Sequence, residues 1–241
     1  MLKQRSDKPE LMDDLTLSGE ELYRNLEELE VINTWLGGYK VVLDALERLL
    51  RDYSGPPLRI ADVGCGAGDT MRSMAKWARR KKIPLQLTGI DANDFMVQFA
   101  RRRCGGFPEI RVEQHDVFAD SFQQQHYDII VCSLFCHHFT DEQLVRMFRQ
   151  LYRQAGIAVI INDLHRHWFA YHSIKLLTRL FSDSYLVKND APLSVWRAFR
   201  REELEKLVQE AGVDMYSLRW MWAFRWQLLL EKINNKTVDK V

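Results

Sequence analysis

The segment Asp62–Gly68, Asp-Val-Gly-Cys-Gly-Ala-Gly, limits the possible folds of this chain more than any other segment. It overlaps the end of the apolar run Leu58–Val63 and leads directly into a helical pattern from Asp69 to Lys82. Glycines let the backbone turn tightly and approach a ligand, and a helix N-terminus offers unpaired N–H groups. A strand that ends in glycines and turns straight into a helix therefore predicts a binding site for a nucleotide-like ligand.

The spacing of the glycines narrows the choice of nucleotide. Dinucleotide-binding folds use the pattern G-x-G-x-x-G, in which the third glycine lies where helix packs on strand. Here the glycines are Gly64, Gly66 and Gly68, and Asp69 follows them. An aspartate at this point would bring negative charge towards a pyrophosphate, so the spacing disfavours NAD and FAD.

Three more apolar runs follow at regular intervals, and each is predicted to be a strand with polar residues at or near its end: Leu85–Asp91, Ile110–Val117 and Tyr127–Ser133. The second strand ends in Asp91, which Ala92 follows. A carboxylate about 20 residues beyond the glycines can accept both ribose hydroxyls of a nucleoside. Strands that alternate with helical patterns predict a parallel sheet with helices on both faces.

Taken in order, these four segments resemble the motifs of the class I S-adenosylmethionine (SAM)-dependent methyltransferases. The resemblance implies an α/β, Rossmann-like fold with a seven-stranded, mostly parallel sheet in the strand order 3-2-1-4-5-7-6. It also implies S-adenosyl-L-methionine as cofactor, with Asp116 at the adenine amino group. The residues expected to bind the cofactor are Asp62, Gly64, Gly66, Gly68, Asp91, Ala92, Asp116, Val117 and Ser133.

The chain of 241 residues suits one large α/β domain preceded by an added helical element. Residues 1–55 are predicted to form an N-terminal helical cover, although residues 1 to about 17 are polar and expected to be frayed. Residues 56–241 are predicted to form the methyltransferase domain, with a helical acceptor lid at about 166–196 after the fifth strand. A last pair of strands, 215–220 and 223–230, is expected to close the sheet in antiparallel fashion.

Composition restricts the partners and the compartment. Lys and Arg number 34 against 33 for Asp and Glu, so the chain has no general attraction for nucleic acid. Its four cysteines are scattered and one lies in the glycine loop, which favours a reduced, cytoplasmic protein. No apolar run is long enough to cross a bilayer, and the N-terminus lacks the apolar centre of a signal peptide.

The candidate catalytic residues are three histidines, His165, His138 and His137, which follow the fourth and fifth strands. Ligands of open α/β sheets bind beyond the carboxyl ends of the strands, and a neutral imidazole suits removal of an acceptor's proton. His165 is the first choice as base because Asp163 could orient it, with His138 as the alternative. Alternatively, His137 and His138 could have no catalytic role and only stabilise their loop through hydrogen bonds. No second pair of ligands at a zinc-like spacing accompanies these histidines, so no metal is predicted.

The lid segment is rich in aromatic residues, which favours an apolar, planar methyl acceptor, although aromatics at helical spacing also form cores. The whole chain, including the segments Asn33–Gly38 and Asn162–Arg166, resembles bacterial small-molecule methyltransferases of the broad ubiquinone/menaquinone type. This resemblance implies a hydrophobic aromatic, phenolic or quinone-like acceptor. The residues expected to bind it are Trp168, Tyr171, His172 and Trp196.

Two alternatives to a small-molecule methyltransferase stay open. One is a protein or nucleic-acid methyltransferase. It is disfavoured because Ser133–Cys136 stands where amino-group methyltransferases carry Asn/Asp-Pro-Pro-Tyr/Phe. The other is a non-catalytic SAM-binding domain, since an intact cofactor site does not by itself establish catalysis.

Overall fold

The sheet at the centre of the protein has seven strands in the order β3-β2-β1-β4-β5-β7-β6, in a computed structural model that describes residues 2–17 and 19–232. This confirms the predicted fold class and strand order. The strands are β1 (Leu58–Val63), β2 (Leu85–Asp91), β3 (Ile110–Gln114), β4 (Tyr127–Ser133), β5 (Ala155–Leu164), β6 (Tyr216–Met221) and β7 (Arg225–Glu231). The helices are α1 (Glu20–Trp35), α2 (Gly38–Leu49), α3 (Asp69–Lys81), α4 (Asp94–Arg103), α5 (Asp120–Gln123), α6 (Asp141–Gln154), α7 (Trp168–Phe181), α8 (Tyr185–Arg197) and α9 (Arg201–Glu210).

The first five strands pair in parallel, and β7 runs antiparallel to both β5 and β6. Strands β1, β4 and β5 are almost continuously buried, as expected where helices cover both faces of a parallel sheet. The carboxyl ends of β1, β2 and β4 consequently meet at one edge of the sheet, and this edge carries the site described below.

The ends of several elements differ from the sequence prediction by one to three residues. Strand β3 ends at Gln114 rather than Val117, because its ladder with β2 ends at the pair Asp91 and Gln114. Strand β5 begins at Ala155, directly after the last residue of α6. Ala155 has extended backbone angles, φ −80° and ψ 136°, so α6 passes into β5 without a connecting turn.

The N-terminal segment is packed against the protein rather than frayed, contrary to expectation. Leu2 is 7% exposed, and Arg5 donates hydrogen bonds to the carbonyl oxygens of Arg197, His137 and Phe139. These contacts hold the segment across the turn that follows β4. The prediction was wrong because charged side chains of this segment bind other parts of the fold rather than solvent, and polar composition does not distinguish the two cases.

The helices before the sheet and the segment after β5 face each other. Helix α1 packs against α8, while α2 packs against β5 and β7. Residues 166–196 form most of a helical hairpin, α7 and α8, whose two helices pack together. Among the described helices, none has the length and apolar character needed to span a membrane.

Candidate active site

A cavity of about 800 Å³ opens at the carboxyl ends of β1, β2 and β4. The loop between β1 and α3 lines one part of it, and residues of α1, α7 and α8 line another. Ligands of open α/β sheets bind at this position, just beyond the strand ends. The cavity therefore lies where the sequence predicts the nucleotide-like ligand.

The glycine loop shapes the floor of the cavity. Gly64 and Gly66 have backbone φ angles of +70° and +49°, which residues with a Cβ rarely adopt. A Cβ on Gly64 would collide with the ring of Phe135, whereas one on Gly66 would meet no atom within 4 Å. Gly66 thus leaves open space in front of its backbone, as close approach of a ligand requires.

Asp91 holds this loop in place from the end of β2. Its Oδ2 accepts a hydrogen bond from the backbone N–H of Gly66 at 3.0 Å, and its Oδ1 accepts one from Asn93 at 3.0 Å. Asn93, not Asp91, is the N-cap of α4, since its side chain accepts a hydrogen bond from the N–H of Met96. The carboxylate of Asp91 therefore fixes the glycine loop that lines the cavity, and it does not cap the helix.

Asp62 is a buried carboxylate without a partner. It is 1% exposed, and neither of its side-chain oxygens has a hydrogen-bond partner among the described residues. Burial raises its pKa well above the usual range, and the nearby Asp69 and Asp91 add to this. A cationic group in the cavity would stabilise these carboxylates, so the loop fits a positively charged ligand such as SAM.

Of the nine residues predicted to bind the cofactor, eight line the cavity and only Gly68 does not. Gly68 is the N-cap of α3, and a Cβ there would lie 2.7 Å from the Sγ of Cys104. Because Gly68 has no side chain, the start of α3 can pack against Cys104, the residue that follows α4. The eight in the lining are Asp62, Gly64, Gly66, Asp91, Ala92, Asp116, Val117 and Ser133.

His137 and His138 line the cavity in the turn after β4. His137 is 3% exposed, and its Nδ1 lies 2.8 Å from the Oδ1 of Asp163, whose Oδ2 accepts the backbone N–H of His137 at 3.2 Å. Burial alone would raise the pKa of Asp163, but the charge and hydrogen bond of His137 outweigh it and hold that pKa low. The two side chains form a buried hydrogen-bonded pair.

A second polar group adjoins this pair through residues that the sequence prediction missed. The Nδ1 of His138 lies 2.5 Å from the Oδ1 of Asp13, and the Nη1 of Arg197 lies 2.5 Å from the other oxygen. Glu10 is 5% exposed, and its Oε2 accepts a hydrogen bond from Ser194 at 2.8 Å. Burial raises the pKa of Glu10 to about 7.

His165, the first choice as base in the sequence analysis, lies outside the cavity. Side chains alternate along β5, so Asn162 and Leu164 line the cavity while Asp163 and His165 do not. The Nδ1 of His165 accepts a hydrogen bond from the indole N–H of Trp220 at 3.3 Å. Burial, followed by the charge of His167, lowers the pKa of His165 to about 4.

The side of α7 that faces the cavity is not the one predicted. The lining residues follow helical spacing: Phe169, Ala170, Ser173, Ile174 and Leu177. The four predicted acceptor-binding residues, Trp168, Tyr171, His172 and Trp196, are all outside the lining. Trp168 is 62% exposed, and Tyr171 packs in a separate buried cluster with Leu2 and Val195.

Arg225 is a further cavity residue that the sequence analysis did not identify. It is 2% exposed, its Nη2 donates to the Oδ1 of Asn33 at 3.1 Å, and its Nε and Nη1 have no partner among the described residues. The sequence could have indicated Arg225, because it is a charged residue in the mostly apolar predicted strand 223–230. Glu10 and Asp13 gave no comparable signal, because they lie in a short polar segment without periodicity.

Comparison with known proteins agrees with this geometry. Residues 60–155 match the family model of the methyltransferase domain. The uncharacterized methyltransferase YcgJ of Bacillus subtilis is 27% identical over 150 residues, which cover 58% of this chain and 54% of that protein. The chain therefore matches about half the length of this curated relative.

Two solved structures share the fold. The plantazolicin methyltransferase BpumL in complex with SAH is 16% identical with a TM-score of 0.60, covering 89% of this chain and 100% of that one. The magnesium protoporphyrin IX methyltransferase from Synechocystis with bound SAH is 19% identical with a TM-score of 0.52, covering 81% of this chain and 82% of that one. At such low identity these likenesses show the fold alone. Residues 60–155 thus carry a methyltransferase domain, as the sequence predicts, and the chain has the fold of methyltransferases whose structures contain SAH.

Proposed function

We propose that this protein transfers the methyl group of SAM to a hydrophobic small molecule of aromatic, phenolic or quinone-like character. One observation carries the proposal: a single cavity joins the glycine loop and its carboxylates to the apolar face of α7. Donor and acceptor can therefore lie in one enclosed space, where holding them in line accounts for much of the rate of a displacement reaction.

The cofactor end of the cavity is built from β1, β2 and their loops. We assign Asp91 to the ribose hydroxyls, Asp116 to the adenine edge, and Asp62 to the positively charged end of the cofactor. When bound, SAM supplies a methyl group on a positively charged sulfur. The lining contains eight carboxylates against one Arg and no Lys among the described residues, so its charge favours such a cation.

The acceptor end is built from α1, α7 and α8. Phe169, Ile174 and Leu177 present apolar side chains to the cavity, and Leu26 and Leu29 of α1 face it as well. These surfaces would exclude water from the reacting groups and bind an apolar ring system. We accordingly retain residues 1–55 as a cover and about 166–196 as an acceptor lid, both attached to a domain that begins at residue 56.

His137 and His138 are the catalytic candidates that the cavity retains. Both lie in the turn between β4 and α6 and reach the lining beside Ser133, at the carboxyl end of β4. They are therefore the polar side chains that we expect to contact the atom of the acceptor that receives the methyl group. His165 is not part of this proposal because it lies outside the lining.

The two structural relatives support a small-molecule acceptor, since their names refer to plantazolicin and to magnesium protoporphyrin IX. The near-neutral chain, with 34 basic and 33 acidic residues, supports it against a nucleic-acid substrate.

The test is a turnover assay with SAM and a panel of phenols and quinones, in which mass spectrometry detects a mass gain of one methyl group. Oligonucleotides and a protein mixture serve as competing acceptor classes. Methylation of an aromatic small molecule supports the proposal. Methylation of the macromolecules alone would overturn it, and SAM binding without transfer to any acceptor would favour a binding domain.

A further inference from the structure

Glu10, His137 and His138 meet at one wall of the cavity in an arrangement that the proposed function does not require. Each offers one nitrogen or oxygen atom, and the three atoms lie within 4.8 Å of one another. The Oε1 of Glu10 and the Nε2 of His137 are 3.7 Å apart. Two imidazoles and one carboxylate are a common ligand set for divalent transition metals in enzymes.

One ring nitrogen of each histidine and one carboxylate oxygen of Glu10 are held by neighbouring side chains. The Nδ1 of His137 pairs with Asp163 at 2.8 Å, and the Nδ1 of His138 pairs with Asp13 at 2.5 Å. The Oε2 of Glu10 accepts a hydrogen bond from Ser194 at 2.8 Å. Metal-binding histidines nearly always donate their second nitrogen to a carboxylate or carbonyl, which fixes the ring and leaves Nε2 free for the ion.

The carboxylate of Glu10 is incompletely satisfied. Its Oε1 is buried and has no hydrogen-bond partner among the described residues. Arg197 approaches this oxygen only to 3.8 Å. The guanidinium of Arg197 donates instead to the carbonyl oxygens of His137 and His138 and to Asp13.

The local charge also favours a cation. When Glu10 is ionised, as a metal ligand must be, Glu10, Asp13 and Asp163 contribute three negative charges and Arg197 contributes one positive charge, which leaves −2 when the histidines are neutral. Arg5 is also near, but its guanidinium pairs with Asp141 at 2.6 Å. Buried charges of one sign are costly unless an ion or a proton compensates them.

We propose that the Oε1 of Glu10 and the Nε2 atoms of His137 and His138 bind a divalent transition-metal ion, with Zn²⁺ as its representative. All three residues line the cavity, so an oxygen atom of the acceptor could complete the coordination of the ion from the cavity. Ligands of a tetrahedral zinc lie about 3.4 Å apart, so atoms that lie within 4.8 Å of one another must close by at most about 1.4 Å.

The acceptor's place in this arrangement rests on the proposed function, but the metal site does not. A bound cation would lower the pKa of a phenolic hydroxyl and hold its oxygen near the cofactor. Metal binding is therefore tested on the protein alone, without SAM or acceptor, so its outcome is independent of whether methyl transfer occurs.

The experiment is a calorimetric titration of chelator-treated protein with Zn²⁺, and with Mg²⁺ as the contrasting ion. We expect one Zn²⁺ per chain and no saturable binding of Mg²⁺, which prefers oxygen ligands. Glu10→Gln keeps the shape and the contact with Ser194 but removes the charge, and should weaken Zn²⁺ binding about 10- to 100-fold. Asp13→Asn, which removes the carboxylate that orients His138, should weaken it on a similar scale of about 10- to 100-fold.

Two variants control for adventitious binding by other histidines. His126 is exposed, and His165 and His167 form a separate pair with ring centroids 5.5 Å apart. His126→Ala and His165→Ala should keep the wild-type affinity for Zn²⁺. Circular dichroism establishes that each variant is folded, and the anomalous signal of zinc in a crystal locates the ion even if Glu10→Gln does not fold.

The proposal is overturned if the wild-type protein shows no saturable Zn²⁺ binding, or if Glu10→Gln and Asp13→Asn both bind as tightly as the wild type. It is also overturned if the anomalous peak lies away from Glu10, His137 and His138.

Discussion

The imidazole of His137 is tied to the carboxylate of Asp163 across the ends of two neighbouring strands, with 2.8 Å between Nδ1 and Oδ1. The sequence analysis paired Asp163 with His165 instead, because the two are close in the chain. Alternation along β5 turns both away from the cavity lining, and the turn after β4 brings His137 to Asp163. A carboxylate at Nδ1 keeps the proton there, so the Nε2 of His137 is the free nitrogen.

This pair predicts that Asp163 positions the histidine rather than binding the cofactor. Asp163→Asn should lower kcat about 10- to 100-fold, because an amide can present its NH₂ group and turn the imidazole. The dissociation constant of SAM should stay unchanged. Steady-state kinetics and calorimetry measure the two quantities separately. An unchanged kcat in a folded variant would show that the pair only stabilises the loop.

Asp91 is expected to be the most sensitive single residue for cofactor binding. Asp91→Asn should weaken SAM binding about 10- to 100-fold, because a charged acceptor of hydrogen bonds is lost. The control is Asp94→Asn, an exposed acid at the start of α4 that lies outside the cavity lining. Calorimetry with SAM measures both variants, and the wild type should bind no NAD. Equal SAM affinity in the two variants would contradict the assignment of Asp91.

Gly66 and Gly212 make a matched pair for testing the glycine loop. Both have positive φ angles, +49° and +73°, and a Cβ on either would meet no atom within 4 Å. Alanine at either position should cost about 1–2 kcal/mol of backbone strain. Only Gly66→Ala should also weaken SAM binding, because its methyl group would enter the cavity. Thermal denaturation and SAM titration separate the two effects, and equal SAM affinity would place the cofactor elsewhere.

Phe169 and Trp168 are neighbours on α7 that differ in their relation to the cavity. Phe169 lines it, whereas Trp168 is 62% exposed and outside the lining. Phe169→Ala should raise the acceptor KM about tenfold through the loss of apolar contact, with little change in SAM affinity. Trp168→Ala should leave both quantities near their wild-type values. The reverse result would restore the original sequence prediction that Trp168 binds the acceptor.

The lowered pKa of His165 predicts a dependence of stability on pH. Its pKa is about 4 in the folded protein and about 6.5 when exposed. Between these values the unfolded chain binds more protons, so the free energy of unfolding contributed by His165 is lost as pH falls from 6.5 towards 4. In His165→Gln, melting temperatures at pH 7 and pH 5 should differ less than in the wild type. An equal difference would show that His165 is not held neutral by the fold.

The sequence by itself determined the sheet and the part of the cavity that the glycine loop and Asp91 line. Strands that end in Asp62 and Asp91 and a glycine turn at the first strand end are local features, each set by a few consecutive residues. In a parallel sheet such ends must meet at one edge, so local pattern suffices to place them together. The exception is Gly68, where helix packing rather than ligand approach explains the glycine.

Only the tertiary structure decided which side chains of α7 line the cavity and how Glu10, Asp13, His137 and His138 come together. Which face of α7 meets the cavity depends on how the helix is rotated against α8, and aromatic content does not record that rotation. Glu10 reaches His137 from a sequence distance of 127 residues because the N-terminal segment crosses the turn after β4. Such contacts depend on long-range packing, for which a single short polar segment carries no periodic signal.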